Sequence, residues 1–460
     1  MNDRSSTPPP RILLIGYDEL TEVTDRALTA SGAEVTQLRN PNDRDLRKAL
    51  VADVDSVVVL TQDDHVSLRL ALIIESARPG LPLVVTVFGR IVASQLQRAV
   101  PTARVMSLAD LVVPSLAGPC FDDRLLSVSR RPDGLKGVLI GEDGPELVPI
   151  EAYRASRPQR LLENMRALLN PFEVSARILM AGLLGFLFIL VLDLTVLAIA
   201  IDESLVEAFY AATKTIVTVG PNPEVDHAAG WLKVFSSLAM LAGLAFTAIF
   251  TAGVVDRLLS RRLTAIVGQR AVPRQNHVVV VGLGQVGLRL CMLLRELGVP
   301  VLAVEVDPDS IHVNRAKDYR IPVVLGRGGS RFLLRRLHLG RARALAAVTS
   351  DEIENISIVV AALGMRDELR TILRAGRGEV VNETRSLFTI GVVRDVYRIG
   401  GTLMAAAALG SDVQEAFLHD KTVYLIHPDG RIEPFEADLE AARESEAADE
   451  ESEPTARAPA

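Results

Sequence analysis

At 460 residues the chain is too long for one hydrophobic core, so two or three domains are expected. Apolar residues make up 49% and charged residues still 23%, which suits membrane segments joined to soluble domains better than either class alone. The net charge of −7 resides in the tail 431–460, with ten Asp or Glu against three Arg; a neutral body with 4% aromatics argues against a nucleic-acid-binding face. Cys120 and Cys291 lie far apart and outside any metal-ligand spacing. They read as buried small hydrophobes in a reducing compartment, without a zinc site or a disulfide framework.

Residues 1–10, MNDRSSTPPP, are polar and Pro-rich; they lack the apolar core of a signal peptide and are expected to be disordered and cytosolic. Residues 11–120 then read as strands alternating with helices, opening on RILLIG (11–16). The pattern returns later in the chain. RILLIG aligns with HVVVVG (277–282), Gly32 with Gly298, and VVVLTQDDHVSLRLALI with LAAVTSDEIENISIVVA, which sets Thr61 on Thr349. Between these blocks the first copy is shorter by about one strand–helix unit. Each copy is followed by a short strand and a Pro-Asp-Gly turn, Pro132-Asp133-Gly134 and Pro428-Asp429-Gly430, with Phe121 paired to Phe417. Such self-similarity predicts an internal duplication.

Residues 121–174 are expected to form a small β segment and a basic, partly helical link, leading to a membrane module at 175–257. Two stretches, 178–201 with one charge and 234–255 with none, are long enough to cross a bilayer as helices. Arg154, Arg157, Arg160, Arg166 and Arg177 precede the first span, and Arg257, Arg261, Arg262, Arg270 and Arg274 follow the second. The loop between them has only Lys214 and Lys233, so both termini are predicted to be cytosolic and the spans to lie in the cell membrane. Asp193, inside the first span, is expected to face protein or water. Gly243, midway along the second, is a candidate bending point of a gate helix, although tight packing explains it as well.

Residues 204–215 (SLVEAFYAATKT) have helical spacing but are too short to span, which suggests a helix that enters the membrane and stops. Irregular backbone at that depth survives only when buried in protein or lining water, so 215–223 is the candidate ion-filter loop. A plain connector over 204–233 is the alternative. The order outer helix, short helix, Thr218-Val219-Gly220, inner helix resembles the two-helix potassium-channel pore. The match stops at Pro221 and Asn222, which replace the family's Tyr and second Gly, and Pro223 stands where an acidic residue usually follows. The resemblance implies potassium as the permeant ion and a homo-tetramer in the lipid bilayer.

After a linker (258–276), HVVVVG leads into Gly284, Gln285, Val286 and Gly287 at the head of an amphipathic helix, and a second strand ends at Glu305. In this strand–turn–helix–strand context the glycines give a tight turn, close backbone approach to a pyrophosphate and a helix N-terminus facing it. Glu305 suits ribose hydroxyls and repels a 2′-phosphate, which favours NAD(H) or an adenine nucleotide (ADP or ATP) over NADP. With the strands IPVVLG and RALAAVTS and the run TSDEIENISIVVAAL, residues 277–410 resemble the regulator-of-potassium-conductance (RCK, TrkA-N-like) domain. The family's Gly-Asp-Ala loop is Gly326-Arg327-Gly328 here, which makes Arg327 a ligand candidate of changed sign. Thr349 and Ser350 end the fourth strand on the crevice side, as ligand neighbours or as caps of the next helix.

In the first copy Asp18 and Thr21 replace Gly284 and Gly287, and Arg39 replaces Glu305. A carboxylate and a branched side chain there obstruct a pyrophosphate, so that copy is expected to bind no dinucleotide and to serve as an assembly surface. A short β appendage (411–436) and an acidic disordered tail (437–460) complete the chain. The expected fold is α/β plus membrane α-helical, two Rossmann-like doubly wound parallel sheets flanking a two-helix pore. The expected function is a ligand-gated cation channel rather than an enzyme. A non-conducting nucleotide sensor with a decayed pore is the alternative, and a membrane-anchored oxidoreductase lacks any Ser-Tyr-Lys or His-Asp constellation beside the fingerprint.

Overall fold

The computed structural model describes residues 8–142, 144–153, 174–200, 204–216, 225, 229–259, 275–376 and 390–435. Thr218, Val219 and Gly220, the link 154–173, most of the linker before 277 and the acidic tail lie outside the described residues. The chain divides into two compact units, one from 1–154 with 273–460 and one from 155–272.

The first unit contains two parallel sheets. In the N-terminal half, β1 (Arg11–Ile15), β2 (Glu34–Leu38), β3 (Ser56–Val59), β4 (Leu83–Thr86) and β5 (Ala103–Met106) lie in the order β2-β1-β3-β4-β5. Helices α1 (Glu19–Ala30), α2 (Asp43–Ala49), α3 (Asp64–Ala77), α4 (Arg90–Ala99) and α5 (Leu108–Phe121) alternate with them. In the C-terminal half, β9 (Val278–Val281), β10 (Val301–Glu305), β11 (Val323–Leu325), β12 (Ala344–Ala347), β13 (Arg370–Ala375) and β14 (Val392–Asp395) lie in the order β11-β10-β9-β12-β13-β14. This is the doubly wound order with its reversal beside the first strand. The N-terminal sheet has the same plan less the strand beyond β2, which accounts for its shorter sequence. Runs such as Val278–Val281 are buried on both faces, as parallel strands covered by helices must be.

Helices α9 (Gln285–Glu296), α10 (Ile311–Asp318), α11 (Arg331–Arg336), α12 (Glu352–Leu363) and α13 (Val396–Ala408) come from the C-terminal half. The helix that closes each half belongs to the other half's core. Helix α13 packs on α1, β3 and β4, while α5 packs on β12, β13 and β14 and on α9. Both are apolar nearly all round, with eleven buried residues each, because each is covered on every side. Gly400 and Gly401 permit the approach: a Cβ at Gly401 would stand 2.8 Å from Val23 Cγ1. Two prolines interrupt α5, and Pro119 has no N–H for the carbonyl of Ser115. Arg394 of β14 donates to that oxygen at 3.0 Å, so a backbone acceptor freed by proline is satisfied from the opposite half. Cys120 and Cys291 are both buried; burial pushes the Cys291 thiol up to about 12 and that of Cys120 upward in the same way. At physiological pH both are inert apolar groups.

Two antiparallel sheets follow the halves: β6 (Ser127–Arg131), β7 (Gly134–Gly141) and β8 (Gly144–Pro149), and β15 (Glu415–His419), β16 (Thr422–Ile426) and β17 (Ile432–Pro434). The Pro-Asp-Gly turns connect β6 to β7 and β16 to β17, with φ of 129° at Gly134 and 91° at Gly430. Phe121 and Phe417 are not equivalent, however, because Phe121 ends a helix and Phe417 sits in β15 stacked on Tyr424. The sheets share a core of Val138, Phe417 and Ile426, and Arg131 pairs with Glu415 across them.

The second unit holds α6 (Val174–Ala200), α7 (Leu205–Ile216) and α8 (Gly230–Leu259). Within α6 and α8, Ile178–Ala200 and Gly230–Val255 are long and apolar enough to cross a membrane, and only 17% of each is buried within the chain. Phe188, Val191, Leu238 and Leu241 point outward, a surface that water does not favour and lipid does. The helices run antiparallel and meet at glycines: a Cβ at Gly182 would stand 2.7 Å from Phe250 N, and one at Gly253 3.0 Å from Leu179 Cα. Helix α7 begins just after Ser204, whose Oγ donates to Glu207 Oε2 at 2.9 Å and accepts from Glu207 N at 3.4 Å. Its Ala208, Ala211 and Ala212 are buried in a cluster with Leu197 of α6, and Thr215 is buried as well. Asp193 is fully buried on α6, facing protein rather than lipid. Helix α8 continues unbroken through the buried Gly243, whose carbonyl accepts from Thr247 Oγ1 at 2.8 Å.

Candidate nucleotide-binding cleft

The site is built by the turn from β9 into α9. Gly282 has φ of 95°, a left-handed conformation that disfavours a side chain, and a Cβ there would also stand 2.8 Å from Thr349 N. A Cβ at Gly287 would fall 1.9 Å from the Gly282 carbonyl oxygen, so α9 can sit this close to β9 only without a side chain. Gly284 caps α9 with no side-chain bond and has open space around its Cβ position. The first-turn N–H groups of α9 therefore face a cleft, the environment that binds a pyrophosphate.

The cleft measures 460 Å³, within the range of cofactor pockets. Gly282, Gly284, Gln285, Val286, Glu305, Thr349 and Ser350 line it together. Gly287 lies one turn behind, as the packing glycine. The Glu305 carboxylate is fixed at the end of β10: Oε2 accepts from Leu283 N at 2.9 Å and Oε1 from Val306 N at 2.7 Å. It thus stands beside the glycine turn, where a ribose attached to a pyrophosphate comes within reach. Thr349 Oγ1 bonds Asn355 Oδ1 at 2.8 Å and the carbonyl of Asp351 at 3.0 Å, while Asp351 caps α12 (Glu352–Leu363). Capping thus falls to Asp351, while Thr349 lines the cleft with its backbone N–H and carbonyl both bonded to the Asn355 side chain. The exposed Arg327 does not line the cleft; Gly326 and Gly328 on either side of it do.

Several lining residues carry no motif in the sequence. Arg374, at the end of β13, stacks on Tyr397 with its guanidinium carbon 5.9 Å from the ring centroid. Only position at the carboxyl end of a strand, the crevice side of such sheets, could have singled it out. Asp18, Thr61, Gln62 and Phe88 come from the N-terminal half, because the exchanged helices bring the two crevices to one cleft. Asp18 does what its replacement of a glycine suggests. Its Oδ1 accepts from Thr21 N at 3.1 Å and Thr21 Oγ1 at 2.8 Å, so a carboxylate of the chain holds the α1 N-terminus that a phosphate would need. Thr61 reproduces the Thr349 arrangement, its Oγ1 bonding the carbonyl of Asp63 at 2.9 Å.

The fit to a nucleotide is therefore good in the C-terminal half and absent in the N-terminal one. The voltage-gated potassium channel Kch of Escherichia coli is 20% identical over 220 residues, 47% of this chain, and the match spans about half (52%) of that relative. Potassium channel protein 1 of Methanocaldococcus jannaschii is 22% identical over 247 residues, 52% of this chain and 72% of its own length. Among solved structures, the GsuK channel aligns over 91% of this chain and 67% of its own with a TM-score of 0.47 and 16% identity. Residues 278–393, from β9 into β14, match the family model of the TrkA-N domain, and about half of the chain is similar to proteins named as potassium channels.

Proposed function

We propose that the chain is the subunit of a cation channel for potassium, regulated by a nucleotide, NAD(H) or ADP/ATP, bound at the β9–α9 turn. The observation that carries this reading is the coexistence in one chain of the glycine cradle facing a cleft and a short helix, α7, packed against an apolar helix long enough to cross a membrane. On this reading Thr218, Val219 and Gly220 supply carbonyl oxygens that replace the hydration shell of the ion. The C-terminal end of α7 adds the negative end of its macrodipole. One chain contributes two spans, so the path needs several copies about an axis, and four is the number implied by resemblance to the two-helix pore. Both termini are cytosolic, which sets the cleft where cellular nucleotides reach it. Gly243 serves as the bending point of the gate. A nucleotide moves that gate only by its difference in affinity for the open and closed arrangements.

Purified protein in liposomes, with potassium and sodium flux compared, tests the pore. Gly220→Ala and Thr218→Ala are expected to reduce potassium flux by at least about tenfold, since each alters the carbonyl ring. Unchanged flux would remove the filter from 215–223. The replacement of Tyr and Gly by Pro221 and Asn222 favours a second reading, a non-conducting nucleotide sensor, for which liposomes carry no flux while nucleotide still binds.

A further inference from the structure

The cleft is acidic for a site that receives a phosphorylated ligand. Its charged lining, among the described residues, is Asp18, Glu305 and Glu354 against Arg374 alone. Glu305 has a use, the ribose hydroxyls. Asp18 has none in the C-terminal half's chemistry, yet it is fixed in place at the cleft wall: Oδ1 is held by Thr21, and Oδ2 accepts from Gln62 Nε2 at 3.4 Å. The N-terminal half thus presents to the shared cleft a stationary negative charge and, among the described lining residues, no Lys or Arg.

Such a wall discriminates by ligand charge. A dinucleotide of the NAD type has its pyrophosphate as its only anionic group, and α9 offers one N-terminus for one pyrophosphate. Its second nucleoside is uncharged or cationic and meets the rest of the cleft without repulsion. A nucleoside triphosphate has to extend further phosphates, ending in a doubly ionised one, into the same carboxylate-lined space with Arg374 alone, among the described lining residues, to receive them. Resting on the nucleotide-binding reading above, we propose that Asp18 is a specificity-determining residue, contributed by the N-terminal half, that makes the cleft select a dinucleotide over ATP. The acid at position 18 then has two effects: it closes the N-terminal site and sets the ligand class of the C-terminal one.

Isothermal titration of the full chain in detergent, with a chelator present to remove divalent cations, tests this with NAD⁺ and ATP as probes. Asp18→Asn removes the charge and keeps the helix cap, because Asn caps as well as Asp. The wild-type chain is expected to bind NAD⁺ at least about tenfold more tightly than ATP, and Asp18→Asn to tighten ATP by about tenfold while moving NAD⁺ by no more than about twofold. The wild-type preference should also shrink with added salt, which a purely structural role for Asp18 would not produce. Equal affinities in the wild type, or an unchanged NAD⁺-to-ATP ratio in Asp18→Asn with NAD⁺ binding intact, would overturn the assignment. Absence of binding by either probe to the wild-type chain would instead overturn the nucleotide-binding reading on which it rests.

Discussion

Gly287→Val is expected to abolish nucleotide binding, lowering NAD⁺ affinity by at least about a hundredfold, and to destabilise the first unit by about 3 kcal/mol. The cause is steric and local. A Cβ at position 287 would come within 1.9 Å of the Gly282 carbonyl oxygen, a backbone atom that no side-chain rotation can move. To make room, α9 must slide from β9, and its N-terminal N–H groups leave the position from which they address a pyrophosphate. Titration calorimetry and thermal unfolding of the full chain measure both effects. Wild-type affinity in this variant would mean that the ligand does not sit on the β9–α9 turn.

Gly182→Val should have an effect of comparable size on the second unit and none on the first. The added side chain would stand 2.7 Å from Phe250 N and 2.8 Å from Phe250 Cα, backbone against backbone, so α6 and α8 must separate. In a bilayer little hydrophobic force restores such a contact, since lipid tails solvate the parted faces as well as the helices do. We expect a loss of at least about 2 kcal/mol in helix association, read, for the multi-subunit pore proposed above, as dispersal of its subunits in mild detergent and loss of flux. Nucleotide affinity should stay at the wild-type value. A stable, conducting oligomer in this variant would show that α6 and α8 do not form the tight pair described.

The features most legible in the sequence are those governed by neighbouring residues. Val278–Val281 reads as a buried strand because every residue is apolar and β-branched, and the glycines at 282, 284 and 287 mark a turn that tolerates no other residue at two of those positions. The helical spacing of residues 204–215 similarly sets the start of α7 within one residue of the observed Leu205. The loss of one strand from the N-terminal copy follows from its shorter spacing, because a strand–helix unit has a nearly fixed length. What the sequence hides is tertiary. Helix α5 is apolar with no clear period and α13 is buried nearly all round, so nothing local says which sheet covers them, and their exchange brings Asp18 and Gln62 to the C-terminal cleft. Arg327 misled for a related reason: it occupies the expected loop position, but Gly328 tucks against Val281 and leaves the arginine outside the cleft.

A nucleotide at the β9–α9 turn is expected to be coupled to an ion path through the second unit. The most direct measurement is potassium flux into liposomes containing the full chain, with and without NAD⁺, for the wild type and for Gly287→Val. Nucleotide is predicted to change wild-type flux by at least about fivefold, a shift of roughly 1 kcal/mol in the gate, and to leave the Gly287→Val flux unaltered. Wild-type flux that is absent, or that is the same with and without nucleotide, would contradict it.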